Sequence, residues 1–260
     1  MADLISSLPG SAPKPKRVLD ALIRYGLLLV LAAVVVFFSI AEPAFLRINN
    51  LFIILQSVSI VALLALGVTL TMAVGGLDLS IGAVAAMSLM IASYVMVVLG
   101  WGAVPAVLIS LAGGALVGLA VWLFLERARI GRLFYAIGGN EQAAHLAGAP
   151  VHRYKLLAYV LSSLLASVGG LLLAARLGRG DVSSGNGLVL DALGAALIGF
   201  AVLGAKKPNA FGTLIGALLV ATLLNGLTML NAPYYAQDFV KGLVLVLALI
   251  FTFGVGQRVR

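Results

Sequence analysis

The sequence predicts an all-α, polytopic transmembrane helical bundle of about eight spans, and three observations support that prediction. First, 62% of the 260 residues are hydrophobic and 10% are charged, whereas soluble domains carry roughly 45–50% and about 25%. Second, the hydrophobic residues form runs close to the ~20 residues that one helical crossing needs. Third, the basic residues lie in the segments between those runs. A water-soluble globule is excluded.

The elements follow in order from the amino terminus. Residues 1–17 are polar and proline-rich and are predicted as a cytoplasmic tail, and residues 18–260 as one transmembrane domain. The apolar run after the tail is too long for a cleaved signal segment. Helices are predicted at residues 21–41, 51–74, 80–99, 103–125, 156–175, 191–205, 210–230 and 238–256. The sixth is short for a full crossing, so it is either re-entrant or tilted.

Lysine and arginine orient these helices, because cytoplasmic loops carry an excess of both residues. With eight spans, one face collects 13 of them and the other holds 4. The larger group comprises Lys14, Lys16, Arg17, Arg24, Arg127, Arg129, Arg132, Arg153, Lys155, Lys206, Lys207, Arg258 and Arg260. The smaller group comprises Arg47, Arg176, Arg179 and Lys241. This asymmetry predicts that both termini face the cytoplasm.

The segment at residues 73–82 interrupts two apolar runs with paired glycines and an acid. One interpretation is that Asp78 or Ser80 caps the following helix at its cytoplasmic end, since both are good N-cap residues. Another is that the break lines a transport path, because freed backbone groups in a membrane need protein or water partners. The two roles are compatible.

The loop at residues 126–155 is the longest between spans and has the strongest local pattern. Asn140 can cap a helix, Glu141 suits its first turn, and Gly148 followed by Pro150 ends it. These residues predict a short helix at residues 141–147. So short a helix is marginal in water by itself, so it docks on a protein partner or lies on lipid headgroups.

The glycine-rich segment at residues 177–187 is predicted as a flexible loop on the non-cytoplasmic side, and Asp191 after it as a helix cap. Inside the spans, Gln56, Ser57 and Asn225 would be costly facing lipid, so they are expected to face the bundle or a cavity. Pairs of small residues four apart predict close helix contacts at Gly114 and Gly118, and at Gly212 and Gly216.

Several classes of function are excluded. The chain has no cysteine and two histidines, so disulfide frameworks, thiol catalysis and histidine-rich metal sites are absent. No G-x-x-x-x-G-K-[ST] phosphate loop occurs, and no catalytic constellation is evident. The net charge of +8 is explained by membrane orientation rather than by nucleic-acid binding.

The motifs at residues 75–84, 134–148, 155–160, 185–187 and 240–243, together with Asp191, resemble the ribose-type sugar ABC importer permeases. The resemblance extends from about residue 50 to the end of the chain. It implies a permease of the bacterial inner membrane that forms a dimer with a second copy or a paralogue. It also implies that a periplasmic sugar-binding protein delivers a pentose, a hexose or a related small solute, and that a cytoplasmic ABC ATPase drives transport.

The resemblance also implies roles for individual residues. The loop helix becomes the coupling helix to the ATPase, with matching positions Gly138, Asn140, Glu141, Ala144 and Gly148. No cofactor is expected on this chain, because ATP and Mg²⁺ would bind the ATPase. The expected substrate pathway, taken from the polar and glycine positions above, is Gln56, Gly76, Asp78, Ser80 and Asn225.

The chain departs from the family pattern in one respect: it lacks roughly 60 residues, about one helical hairpin, before residue 127. Losing two spans together preserves the orientation of everything downstream. This departure leaves open a shortened permease that acts only in assembly or regulation. A stand-alone secondary transporter is the other alternative, but such proteins usually show repeated halves and several intramembrane acids.

Overall fold

The computed structural model of the chain describes residues 17–99, 129–181, 183–201 and 207–249. Within these ranges all regular structure is α-helical, which confirms the predicted fold class. The nine described helices are α1 (Arg17–Ala41), α2 (Ile48–Ala73), α3 (Ile81–Leu99), α4 (Arg129–Gly139), α5 (Glu141–Leu146), α6 (Val151–Leu177), α7 (Ser184–Ala201), α8 (Ala210–Met229) and α9 (Tyr234–Leu249).

Three described helices are long and apolar enough to cross a membrane, namely α2, α6 and α8. Shorter apolar stretches occur at Gly26–Ala41, Ile81–Met90 and Gly187–Phe200. The chain is therefore a multi-pass membrane protein. The fourth predicted span, at residues 103–125, lies outside the described residues, so the total of eight stays a prediction.

Helix α2 is the centre of the bundle. It packs against α6, α7 and α8, and its residues from Ile60 to Leu70 are buried without interruption. A helix that is apolar on all sides is expected in such a position. A deeply buried polar contact joins Thr69 to Thr213 of α8, with 2.7 Å between the two hydroxyl oxygens.

Glycines allow the helix backbones to approach closely. A side chain at Gly212 would overlap the carbonyl of Gly199, and one at Gly216 would overlap that of Ala195. These contacts join α8 to α7 and confirm the small-residue prediction for this pair. Gly170 of α6 contacts Ala85 of α3 in the same way. The pair at residues 114 and 118 lies outside the described residues.

Several predicted boundaries were wrong at the amino-terminal ends of helices. Helix α1 begins four residues earlier than predicted, α6 five, α7 seven and α9 four. The predictions were based on hydrophobic runs, whereas polar first turns extend helices beyond the apolar part. The stretch at residues 126–155 is not a simple loop, because it contains α4, α5 and the first turn of α6.

Candidate functional site

Helix α5 has the predicted position and caps. It covers Glu141–Leu146, one residue shorter than predicted, and the Asn140 side-chain oxygen accepts a hydrogen bond from the Ala143 amide at 2.9 Å. Gly148 ends the turn with φ +83°, a left-handed conformation that favours glycine. Lys155 donates to the Glu141 carboxylate at 2.6 Å, which ties α5 to the start of α6.

Most of α5 is uncovered. Its one buried residue is Ala144, which packs into the main core. Leu146 is 86% exposed, and it lines an open depression of about 700 Å³ together with Asn140, Glu141, Gln142, His145 and Val151. A single exposed leucine is common on protein surfaces, but this one lies on a helix too short to be stable in water without packing. We call Gln142, His145 and Leu146 the α5 surface.

Helix α4 attaches this region to the bundle. Its penultimate residue, Gly138, lies so close to the carbonyl of Ala73 that a side chain would overlap it. The Tyr135 hydroxyl donates to the Pro208 carbonyl at 2.6 Å, and the Lys207 ammonium lies 4.5 Å from the centre of the Tyr135 ring. The ends of α2, α4 and α7 and the start of α8 therefore meet at one end of the bundle, which we call the α5 end.

The segment between α2 and α3, residues 74–80, is the predicted helix break. It turns at Gly75, whose φ is +77°, and continues without helical structure to Ser80. Asp78 in this segment is only 4% exposed. One carboxylate oxygen accepts from the Ser80 amide at 2.9 Å and from the Ser80 hydroxyl at 2.6 Å. The other accepts from the Ser162 hydroxyl of α6 at 2.8 Å.

The contacts of Asp78 differ from those of the predicted cap. Its bond from the Ser80 amide, two residues on, is that of an Asx turn just before α3 rather than a bond from the first turn of that helix, and the Ser162 bond joins the break to another helix. Ser162 lies 11 residues after Val151, about 17 Å along α6. The carboxylate thus belongs to the packed interior of the bundle. Ser162 carries no distinguishing pattern in the sequence, because it is one of three serines among the apolar residues of α6.

The predicted pathway residues fall into two groups. Gly76 lies against the Tyr159 hydroxyl and is close in sequence to Asp78 and Ser80, so these three share the break. Asn225 forms a reciprocal pair of side-chain hydrogen bonds with Asn50, at 3.0 and 3.1 Å.

Asn50 is 23 residues before Ala73 in α2, which places the asparagine pair about 35 Å along the helix from the break. Gln56 is buried in α2, nearer the asparagine pair. The structure does not bring all five residues into one site.

Asp191 is not the predicted cap. It lies inside α7 and is buried, with one carboxylate oxygen 3.1 Å from the Lys241 ammonium of α9. The side chains are 10% and 16% exposed, and the exposed Asp238 lies 3.9 Å from the same ammonium. The ion pair was not predicted from the sequence. It could have been found from the presence of one acidic and one basic residue inside two apolar runs, since charges within membrane helices usually pair.

The glycine-rich segment before Asp191 is a loop only in part: residues 178–181 and Ser183 are not helical, whereas α7 begins at Ser184. A side chain at Gly185 would overlap the backbone of Gly82, so glycine here serves close packing against α3. Asp181 holds the turn, because its carboxylate accepts from the Ser183 amide and hydroxyl and from the Ser184 hydroxyl. The Ser183 hydroxyl is the main cause of an Asp181 pKa below its ordinary value.

Apolar crossing helices, a buried polar break and an exposed short helix between two longer ones define the chain as a multi-pass membrane protein. Residues 119–249 match the family described as branched-chain amino acid transport system / permease component. The ribose import permease protein RbsC of Escherichia coli K12 is 32% identical over 86% of this chain and 90% of that protein. The chain therefore belongs to this family of transport permeases.

Other relatives agree. The RbsC protein of Bacillus subtilis is 29% identical over 87% of this chain and 92% of its own length. The xylose transport system permease protein XylH of Haemophilus influenzae is 46% identical over 48% of this chain and 34% of its own. No solved structure matches the chain.

The alignment with E. coli RbsC also agrees with the predicted missing hairpin. It has 294 positions, yet it covers 86% of a 260-residue chain, or about 224 residues. About 70 positions of the alignment therefore have no counterpart in this chain. That difference is close to the roughly 60 residues expected from the motif spacing, which correspond to about two spans.

Proposed function

We propose that this chain is the membrane-spanning subunit of an ABC importer for a pentose, a hexose or a related small polar solute, located in the bacterial inner membrane with both termini in the cytoplasm. The observation that carries the proposal is the α5 surface, an uncovered patch on a capped helix between two helices that enter the bundle. The relatives that align along most of the chain are named for ribose import, which favours a sugar over an amino acid.

In this mechanism α5 docks on a cytoplasmic ATPase, which binds ATP and Mg²⁺, while this chain supplies no cofactor site. Asn140 and Gly148 hold the two ends of α5, Glu141 fixes it to Lys155, and Ala144 anchors it to the core. Gly138 joins it to the end of α2. A periplasmic binding protein delivers the solute, and a second permease copy or a paralogue completes the pathway. Alternating access follows from closure of the ATPase pair.

Site-specific cross-linking tests the docking. Because the chain has no cysteine, a Leu146→Cys variant carries a single thiol on the α5 surface. We expect it to form a specific adduct with a cysteine-substituted ATPase encoded beside the permease gene. Tyr234→Cys is the matched control, since Tyr234 is also highly exposed, at 79%, but lies at the start of α9. Equal cross-linking of both variants, or none of either, contradicts the proposal.

The absence of about 70 positions favours a second candidate, a shortened permease that assembles with its partners but does not transport. Reconstitution with the ATPase and binding protein distinguishes the two. Uptake of radiolabelled D-ribose or D-xylose into proteoliposomes, with ATP hydrolysis stimulated by the loaded binding protein, supports the importer. A stable complex without uptake of either sugar supports the shortened permease.

A further inference from the structure

Both helices that flank α5 contact the α2–α3 break directly. On the amino-terminal side, Gly138 of α4 lies against Ala73 and Gly75. On the carboxy-terminal side, Tyr159 and Ser162 of α6 contact Gly76 and Asp78. Two routes therefore connect α5 to the break: one through Gly138, close before α5, and one along about 17 Å of α6 to Ser162.

The two contacts differ in their chemistry. Gly138 contacts the break through backbone packing. Such a contact prevents the two segments from moving closer together but does not hold them together when they move apart. Ser162 meets the break through a hydrogen bond to a buried carboxylate, and hydrogen bonds to charged groups are among the stronger ones in proteins. Within the described residues no cation lies at ion-pair distance from Asp78. The carboxylate is held there by the hydroxyls of Ser80 and Ser162 and by the Ser80 amide.

Packing limits where the Ser162 hydroxyl can point. Ser162 is fully buried, and a side chain at Gly67 of α2 would lie 3.0 Å from its oxygen. The hydroxyl is thus enclosed between α2, α6 and the break. Removing it leaves one oxygen of a buried carboxylate without a donor, which is strongly unfavourable in a low-dielectric interior.

The break also presents side chains alternately to the inside and the outside. Asp78 points into the protein, whereas its neighbours Leu77 and Leu79 are 48% and 60% exposed. A segment that is extended rather than helical alternates its side chains in this way. Any movement of Asp78 therefore changes the position of two leucines on the opposite face of the same segment.

We propose that Ser162 is a positioning residue for transport: through Asp78 it makes the α2–α3 break follow the movement of α6, so that docking of the ATPase on α5 displaces Leu77 and Leu79. This inference rests on the proposed function, because it assumes that α5 receives the ATPase. Small shifts at one site become discrete rearrangements when the packed elements between them have two arrangements.

The experiment compares Ser162→Ala with Ser163→Ala in the full complex of permease, ATPase and binding protein in proteoliposomes. Ser163 is the adjacent residue and is half-buried, so the control removes a hydroxyl from the same helix turn. Complex formation, ATP hydrolysis and uptake of radiolabelled D-ribose or D-xylose are measured together. For Ser162→Ala we expect an intact complex that hydrolyses ATP while the sugar taken up per ATP falls about tenfold.

Asp78→Asn provides the conservative comparison. Its amide oxygen can still accept from Ser80 and its nitrogen can donate to the Ser162 oxygen, so we expect the ratio of uptake to hydrolysis to remain close to wild type. Asp78→Ala cannot make these bonds and should resemble Ser162→Ala.

A second readout does not depend on the sugar. A Leu79→Cys variant carries one thiol on the break, and its maleimide labelling rate should change when ATP and vanadate are added. The same thiol in the Ser162→Ala background should lose that change. A nucleotide response that persists in this background, or a wild-type uptake ratio in Ser162→Ala, overturns the positioning role alone. A wild-type chain that associates with no ATPase instead contradicts the proposed function.

Discussion

Two buried aspartates show how differently this bundle accommodates an acid. Asp78 lies in the non-helical break, and its carboxylate is bonded by two serines and one amide. Asp191 lies within a regular helix, and its carboxylate faces the ammonium of Lys241 on α9. The first arrangement depends on hydrogen-bond geometry, whereas the second depends on charge compensation. This difference predicts which substitutions each site tolerates.

The largest effect is expected at the ion pair. Lys241→Met leaves the Asp191 charge buried without its partner, which costs about 3–5 kcal/mol of folding free energy. The matched double variant, Asp191→Leu with Lys241→Met, removes both charges and should recover most of that loss. The midpoint of SDS-induced unfolding measures both. A double variant as unstable as the single variant would contradict the prediction, because the loss would then not come from leaving the Asp191 charge unpaired.

Steric contact at the break should give an intermediate effect. Gly138→Ala places a methyl group against the Ala73 carbonyl, so we expect a loss of about 1–3 kcal/mol. Gly139→Ala is the matched control, because nothing lies within 4 Å of that position, and replacing glycine in a helix should be neutral or stabilising. If the two variants unfold at the same midpoint, α4 does not press on the break.

The cap of α5 should give a smaller effect that is local. Asn140→Ala removes the acceptor for the Ala143 amide and should cost about 1 kcal/mol. The loss should be confined to α5, so hydrogen exchange is expected to accelerate at residues 141–147 while exchange in α2 stays unchanged. Asn140→Asp, which keeps the acceptor, is the control. Faster exchange throughout the bundle would contradict a local role.

The smallest change is expected for Asp78→Asn, which sharpens the comparison with the other acid. An amide can satisfy the same serine partners, so the loss should stay below about 1 kcal/mol. Asp191→Asn at the second site removes the charge that compensates Lys241 and should cost more than Asp78→Asn. Equal losses in the two isosteric variants would mean that charge, and not geometry, holds Asp78 as well.

Much of the fold and part of the site followed from sequence. Hydrophobic runs predict the described crossing helices, because a helix needs a nearly continuous apolar stretch to span a membrane. The α5 helix was predicted to within one residue, since its caps depend on local chemistry at Asn140 and Gly148. The break was predicted from paired glycines and an acid for the same reason.

The predictions for Gly185 and Asp191 were wrong because each residue type suggests one local role, whereas its packing in the bundle gives it another. Gly185 resembles a loop residue, yet its lack of a side chain serves close contact with Gly82, and α7 starts before it. Asp191 resembles a cap, yet its partner Lys241 is 50 residues away in sequence. No local pattern connects such positions.

By itself the sequence determined that the chain is a bundle of membrane helices, where most of them lie, and that a short capped helix interrupts the basic loop before α6. These properties depend on hydrophobicity, charge and backbone preference within a few residues. Only the tertiary structure decided that Ser162 bonds Asp78, that Lys241 faces Asp191 and that α4 and α6 both reach the break. Such contacts depend on which helix faces pack together. Patterns within one helix do not reveal which faces these are, because the partner residues are distant in the sequence.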